Sequence, residues 1–462
     1  MSIPARRRNT EGIHASMLPS ACTIDEVATH NRADPYWDQL WAPGSQAVWA
    51  TAAMERVRVD AGTGPVRRRH RMPRAEAMRQ LTSNKGRADR LAGWSVLDSW
   101  RTVSAEQMAA FTGSAVFLDP DCNNIAASFC TDVLDLGTYS HPSRRLPGMN
   151  RGTLYRPGNS DAFEQLIAPT LTFPEWVSVT GGTPWSTGGQ YDRHNMLAAE
   201  LALRAAEYLP VGAILGEKHA SVDLLAGSGL GRSVKNPDNR RADGVLIRPD
   251  GMRIAYELTA TASTAFENKV RRWARIISER PLETSGLTIV FIAAPHPDRA
   301  DTGRDPRSEI YRRLTKVLTE FPGTGKDSPA ARIGVATWDE WFPARHEISE
   351  SFFTLTADFA LGDGRGAQKW VPRELLGGYD FEPWHTFDAK AVVENAPLIA
   401  ASPHWLRGGE HTHLIGTPME RAGEEAPQPG PVRPELGMPL PLGAARGVSG
   451  DAKLPPRLRI EG

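Results

Sequence analysis

A chain of 462 residues, 40% apolar and 23% charged, has the make-up of a soluble globular protein and is long enough for two or three cores. Its 54 Lys and Arg balance 54 Asp and Glu, so the molecule as a whole offers a polyanion no net attraction. The longest apolar run, residues 287–294, falls far short of the roughly 20 residues a membrane helix needs.

Charge is distributed unevenly. Between Asp60 and Ser104 stand ten Lys or Arg against four Asp or Glu, with Arg67, Arg68, Arg69 and Arg71 nearly consecutive. Such a run is either a solvated stretch or an arm that contacts phosphates. The three cysteines, Cys22, Cys122 and Cys130, lack metal-site spacing and are too few for a disulfide framework, as expected in a reducing compartment. Residues 1–10 are basic with no apolar stretch behind them, unlike a secretory signal. A cytoplasmic protein without membrane contact is expected.

In chain order, residues 1–80 are rich in Arg, Ala, Pro and Gly and read as a basic, largely flexible arm with a short helical piece near 37–49. Residues 81–160 carry helix-turn-helix punctuation. A helix over Arg87–Trp100 shows the apolar face Leu91, Trp94, Val96 and Leu97. Ser104-Ala105-Glu106-Gln107 forms a capping box for a second helix, which Gly113 closes. Pro120, at a first helical position, opens a third helix over 119–136. Arg144, Arg145, Arg151 and Arg156 then cluster around Gly148 and Gly152, suiting a two-stranded basic wing. The pattern fits a winged-helix domain for double-stranded DNA, with Asn123 and Asn124 able to pair with adenine edges. The third helix has no Lys or Arg, so phosphate contacts would fall to the wing and arm. A packing module without DNA contact fits the same residues.

After a linker at 161–190, residues 191–345 read helix (194–209), strand (215–224), hairpin (243–247 with 253–259), helix (263–278), strand (287–293), helix (306–321) and strand (332–337). Gly227–Gly231 lacks the full glycine pattern of a dinucleotide loop and reads as a connection. Phe266, Val270, Trp273 and Ile277 form the stripe of the second of these helices. Residues 346–408 form a C-terminal extension with alternation at 352–361, and the Pro- and Gly-rich stretch 409–462 reads as a disordered tail. Within it, His411-Thr412-His413 is a poor match to a His-hydrophobe-His metal pair.

The hairpin is the most informative feature. Pro249-Asp250-Gly251 suits a three-residue loop, which pairs Arg248 with Met252. Paired residue numbers then sum to 500, and Asp243 lies opposite Glu257 on one face, roughly 5 Å away. Two bare carboxylates repel at that separation. A divalent cation removes the penalty, and oxygen ligands suit Mg²⁺ or Mn²⁺. In the same register Arg241 faces Thr259, and Lys269 flanks the helical stripe.

Here the chain resembles the PD-(D/E)XK nucleases, whose core runs helix–strand–strand–strand–helix–strand. Ala242-Asp243 stands at the Pro-Asp position, Glu257-Leu258-Thr259 at the Glu-x-Lys position, and Glu200 on the first helix. More narrowly, residues 85–280 resemble the replication-relaxation family of plasmids and mobile elements, which places a winged helix before such a core. The implied fold is α+β or α/β: an N-terminal winged helix-turn-helix, an αβββαβ nuclease-like core and a C-terminal extension. The implied metal ligands are Asp243 and Glu257. Thr259 replaces the lysine, so Lys269 or Arg241 would have to supply the charge, with Glu200 as a further acidic candidate. Glu200, Arg204 and Glu207 also fall on one helical stripe and read as a salt-bridged surface. Two functions follow: a DNA-binding accessory factor of a mobile element, acting in replication or mobilisation, with a core that either cuts DNA as a metal-dependent endonuclease or only grips it, or a non-catalytic regulator using the core for docking or as a homodimer.

Overall fold

The computed structural model describes residues 4, 11–38, 44–63, 71–140, 152–158, 161–181, 184–188, 191–220, 241–295, 306–323, 325–362, 368–382 and 403–407. Gly227–Gly231, His411–His413, Trp384 and the 409–462 tail lie outside them.

The stretch expected to be an arm is built into the protein. It holds strand β1 (Gly12–His14), strand β2 (Gln46–Ala50) and helices α1 (Ala52–Asp60) and α2 (Arg74–Thr82). Ala15, Val27, Arg32, Asp34, Ala77 and Leu81 are all buried. Where a helical piece is expected near 37–49, the described residues show a turn over 35–38 and strand β2 from Gln46, while 39–43 lie outside the described residues. Periodicity failed to reveal this segment because Ala15 and Val27 sit in short 3-10 turns and α2 buries only Ala77 and Leu81. Its buried charges find their partners far along the chain.

Helix α3 (Arg87–Trp100) occupies the predicted span and is followed by strand β3 (Val103–Ser104) and helix α4 (Ala105–Thr112). The capping box forms: Gln107 N donates to Ser104 Oγ at 3.0 Å and Ser104 N donates to Gln107 Oε1 at 3.1 Å. The third helix, α5 (Asn123–Cys130), is much shorter than 119–136. The chain reverses at Asp132 (φ 63°) and becomes strand β4 (Leu134–Ser140), which pairs with β5 (Thr153–Pro157). Leu134 and Leu136 enter the core while Asp135 meets Arg156 at 3.1 Å. Together these strands form an antiparallel sheet in the order β2-β4-β5-β3. The expected linker is also structured: it contains helix α6 (Phe173–Thr180) and a Phe163–Trp185 stack with centroids 4.0 Å apart.

Helix α7 (Asp192–Tyr208) lies between that module and a seven-stranded sheet, its residues from Asn195 to Glu207 all buried. The strands of the larger sheet are β6 (Ala213–Gly216), β7 (Gly244–Ile247), β8 (Arg253–Thr259), β9 (Leu287–Ala293), β10 (Ile333–Thr337), β12 (Thr356–Gly362) and β13 (Gln368–Glu374). Strand β11 (Glu347–Ser349) pairs instead with β1. The order across the sheet is β13-β12-β10-β9-β8-β7-β6. The pairs β6–β7 and β7–β8 are antiparallel; β8, β9 and β10 run parallel. Helix α8 (Thr264–Ser278) connects β8 to β9, and α9 (Pro306–Leu318) precedes β10. The stretch expected to be an extension supplies β12 and β13, so it completes this sheet.

The hairpin has the three-residue loop that its sequence predicts. Arg248 N donates to Met252 O at 2.8 Å, and Gly251 takes φ 90°, where a Cβ would be strained. Gly244 pairs with Tyr256 and Ile247 with Arg253. One apolar core runs through both modules. In α8, Phe266, Val270, Trp273 and Ile277 are buried, each contributing about 1.5–3 kcal/mol of transfer free energy.

Candidate functional site

Four elements converge beside the start of β7. Asp243 N donates to Tyr256 O at 3.1 Å, which extends the hairpin pairing by one residue and sets Asp243 beside Glu257. Lys269 and Trp273 are four residues apart on α8, so they stand one above the other on one flank. Both reach Glu257: Lys269 Nζ lies 2.5 Å from Oε2, and Trp273 Nε1 donates to Oε1 at 2.8 Å. His194, in the first turn of α7, lies with Nε2 2.8 Å from Asp243 Oδ1. Leu258 N donates to Asp243 Oδ2 at 2.6 Å. Each of the four carboxylate oxygens therefore already has one nitrogen partner from the protein.

The electrostatics follow from that arrangement. Burial pushes the Glu257 carboxyl up; Lys269 opposes this, but Asp243 adds to it, and the net is above the ordinary glutamate range. Burial also pushes Asp243 up, but His194, Lys269 and the Leu258 N–H hold it below its ordinary value. Burial disfavours the charged His194 ring, and the Asp243 carboxylate outweighs it, raising the imidazole above its usual range. Two carboxyls are thus faced by one ammonium and one imidazole.

His194, Asp243, Leu258 and Lys269 line a cleft of about 800 Å³, with Glu257 and Trp273 buried behind them. Its lining includes Arg101, Arg241, Lys269 and Arg272, against Glu217 and Asp243 as acids. Thr259 lines it as well. Thr259 carries no charge, and the ammonium near Glu257 comes from Lys269 on the next helix. Arg241 is half-buried, and burial lowers its guanidinium from its ordinary value despite the nearby Glu217.

Glu200 belongs to a different place. It is buried between Arg32 (2.9 Å) and Arg204 (2.8 Å), facing the N-terminal segment. Six residues separate it from His194, which puts the two side chains about 120° apart around α7. The Glu200–Arg204–Glu207 stripe is accordingly interior and not the expected surface. It can contribute nothing to the cleft.

Of the residues expected to contact DNA, Arg67, Arg68, Arg69, Arg144, Arg145 and Arg151 lie outside the described residues. Arg71 and Asn123 are exposed. Arg90 Nη1 donates to Asn124 Oδ1 at 3.2 Å. From Ile125 to Cys130 helix α5 is buried, with α2 packed along it. In this arrangement α5 has only its first turn to offer a groove. Sequence reasoning missed α2 as a helix, and with it the covering of α5.

It also missed His194, Trp273, Arg101 and Arg272 as parts of the site. Trp273 was legible only as a stripe residue, since nothing in helical spacing says that its indole N–H reaches an acid on a neighbouring strand.

No family model, curated protein or solved structure matches the chain.

The carboxylates can be tested against a divalent cation on their donor chemistry. Among the described residues no three His, Cys, Asp or Glu side chains are gathered into a metal cluster. Mg²⁺ needs only one or two carboxylates, because water and substrate phosphate complete its shell. Each carboxylate oxygen accepts two hydrogen bonds, so Trp273 and the Leu258 N–H can orient the two acids while Asp243 Oδ1 and Glu257 Oε2 remain for an ion. The residues fit Mg²⁺ or Mn²⁺ provided that His194 and Lys269 yield. Among the described residues, no helix is long and apolar enough to cross a membrane.

Proposed function

We propose that the protein binds DNA and that the cleft is a phosphodiester site of PD-(D/E)XK type. The observation that carries this is the meeting of Asp243, just before β7, with Glu257 of β8 and Lys269 of α8, beside a cleft that Asp243 and Lys269 line together with arginines. The succession α7-β6-β7-β8-α8-β9 matches the helix–strand–strand–strand–helix–strand order of that superfamily. The smaller module, α3-β3-α4-α5-β4-β5 with β3 paired to β5, has the element order of a winged helix.

In this reading Arg241 and Arg272 draw the DNA backbone into the cleft and Lys269 sets an ammonium beside the phosphate. Asp243 and Glu257 would hold the cation, with Trp273 orienting the Glu257 carboxylate. His194 Nε2 holds or delivers a proton next to Asp243. Bound Mg²⁺ or Mn²⁺ would neutralise phosphate charge and acidify a water. The resemblance to the replication-relaxation family suggests the setting, an accessory role in replication or mobilisation of a mobile element.

The test is nicking of supercoiled plasmid with Mg²⁺ or Mn²⁺ by the wild type and by Asp243→Asn and Glu257→Gln, with folding checked by circular dichroism. Nicking lost in both folded variants supports a hydrolase; wild type that does not nick rules it out. One observation favours a second reading, a non-catalytic regulator. The acids are already charge-matched and hydrogen-bonded by the protein's own donors, so the site can grip DNA without cutting. Filter binding retained without nicking supports that alternative.

A further inference from the structure

We propose that the cleft takes an unpaired nucleotide, with the ring of Tyr191 as the platform for its base; the idea rests on the nucleic-acid reading above. Tyr191 lines the cleft and is 74% exposed, whereas Phe266, which also lines it, is 6% exposed. The Tyr191 backbone lies in the left-handed region at φ 70°, which a bulky side chain rarely adopts. Such conformations persist where the surroundings over-determine them, and they gather at functional sites. The surroundings here are visible. The next residue, Asp192, accepts hydrogen bonds from Thr102 Oγ1 at 2.7 Å and Trp49 Nε1 at 2.8 Å, and Asn195 N donates to Tyr191 O at 3.0 Å. The Tyr191 backbone is thus anchored to the smaller module and α7, while its ring stands exposed along the lining of the cleft.

Its neighbours define the ligand. Arg101, Arg241, Lys269 and Arg272 outnumber Glu217 and Asp243 along the same lining, which favours a phosphate backbone. An exposed aromatic ring among such cations is the arrangement that binds single strands, because every base has a face to stack. A paired base hides both faces in the duplex. The volume of about 800 Å³ is that of a small-ligand pocket. A loose end, flap or single strand meets both conditions, and an intact blunt duplex does not.

The experiment measures fluorescence anisotropy of the full chain with a labelled oligo-dT and with a blunt duplex of equal length, divalent ions chelated. Tyr191→Ala is expected to weaken oligo-dT binding roughly tenfold and Tyr191→Trp to retain it, with duplex binding the same in both. Tyr191→Gly separates stacking from folding: glycine accepts the positive φ, so thermal stability should hold or rise while oligo-dT binding falls as in the alanine variant. Unchanged oligo-dT binding in Tyr191→Ala, or an equal loss for the duplex, overturns the platform. If the wild type binds neither probe, the nucleic-acid reading itself falls, and the platform with it. If Arg241→Ala and Arg272→Ala weaken both probes while Tyr191→Ala weakens neither, only the platform is lost.

Discussion

Arg32 Nε lies 2.9 Å from Glu200 Oε2, and neither side chain is exposed. Arg32 also meets Glu207 at 3.2 Å, and Arg204 joins Glu200 to Asp34 through contacts of 2.8 and 2.7 Å. Gln107 of α4 donates to Glu200 as well, at 3.2 Å. This buried network fastens the N-terminal segment and the smaller module to α7.

Removing one member strands the others in the interior, which costs about 3–5 kcal/mol. Glu200→Gln and Arg32→Met are each expected to lower the unfolding free energy by that margin, read as a fall in the urea midpoint. DNA binding per folded molecule should stay at the wild-type level, because Glu200 faces away from the cleft. A loss of binding with stability intact would return Glu200 to the site.

The same network gives a pH dependence with a definite sign. Burial alone would raise Glu200, but Arg32 and Arg204 hold its carboxyl down at about 2. The unfolded chain therefore takes up a proton near pH 4.5, well before the folded one does, so this contribution is complete above that pH and is lost as the pH falls towards 2. Urea midpoints measured from pH 5 down to 3 should fall, and Glu200→Gln should flatten that slope.

Glu257 is fully buried beneath a half-exposed Lys269. Lys269→Met leaves that carboxyl without its cation and is expected to cost roughly 2 kcal/mol, less than a fully interior pair. Adding Glu257→Gln should recover most of it. A double variant whose loss equals the sum of the two single losses would show that the residues are not coupled.

Gly244 follows Asp243, and a Cβ built there would stand 2.1 Å from Tyr256 Oη. That hydroxyl donates to Ala198 O at 2.9 Å and ties β8 to α7. Gly244→Ala must push the ring aside, at an expected cost of about 1–3 kcal/mol, and should disturb Asp243 and its contact with His194. Denaturation together with plasmid binding reads both effects.

Deleting residues 1–75 would be a poor test of the basic run, since the deletion removes Arg32 and the strand pairing of β1. Arg67, Arg68 and Arg69 changed together to Ala is the cleaner variant. If all three neutralise phosphates, the slope of log affinity against log salt should flatten by about 0.9 for each. An unchanged slope would make the run solvated surface.

What local chemistry dictates was legible in this chain. A three-residue loop with Gly251 last imposes its register on the hairpin, Ser104 and Gln107 cap each other across three residues, and the Phe266–Ile277 stripe needs only a helical repeat. Those interactions join residues near in sequence, so the one-dimensional pattern contains them. Tertiary structure decided the rest. Glu200 turned inward because Arg32, 168 positions away, offers a buried partner that no local pattern reveals. The helix meant for a DNA groove was covered by α2, whose docking depends on a fold and not on its own weak periodicity. His194 and Trp273 became part of the site because α7 and α8 pack against the same two strands. Contacts of that kind are chosen by the packing of whole elements, where burial and charge pairing outweigh the preferences of any single segment.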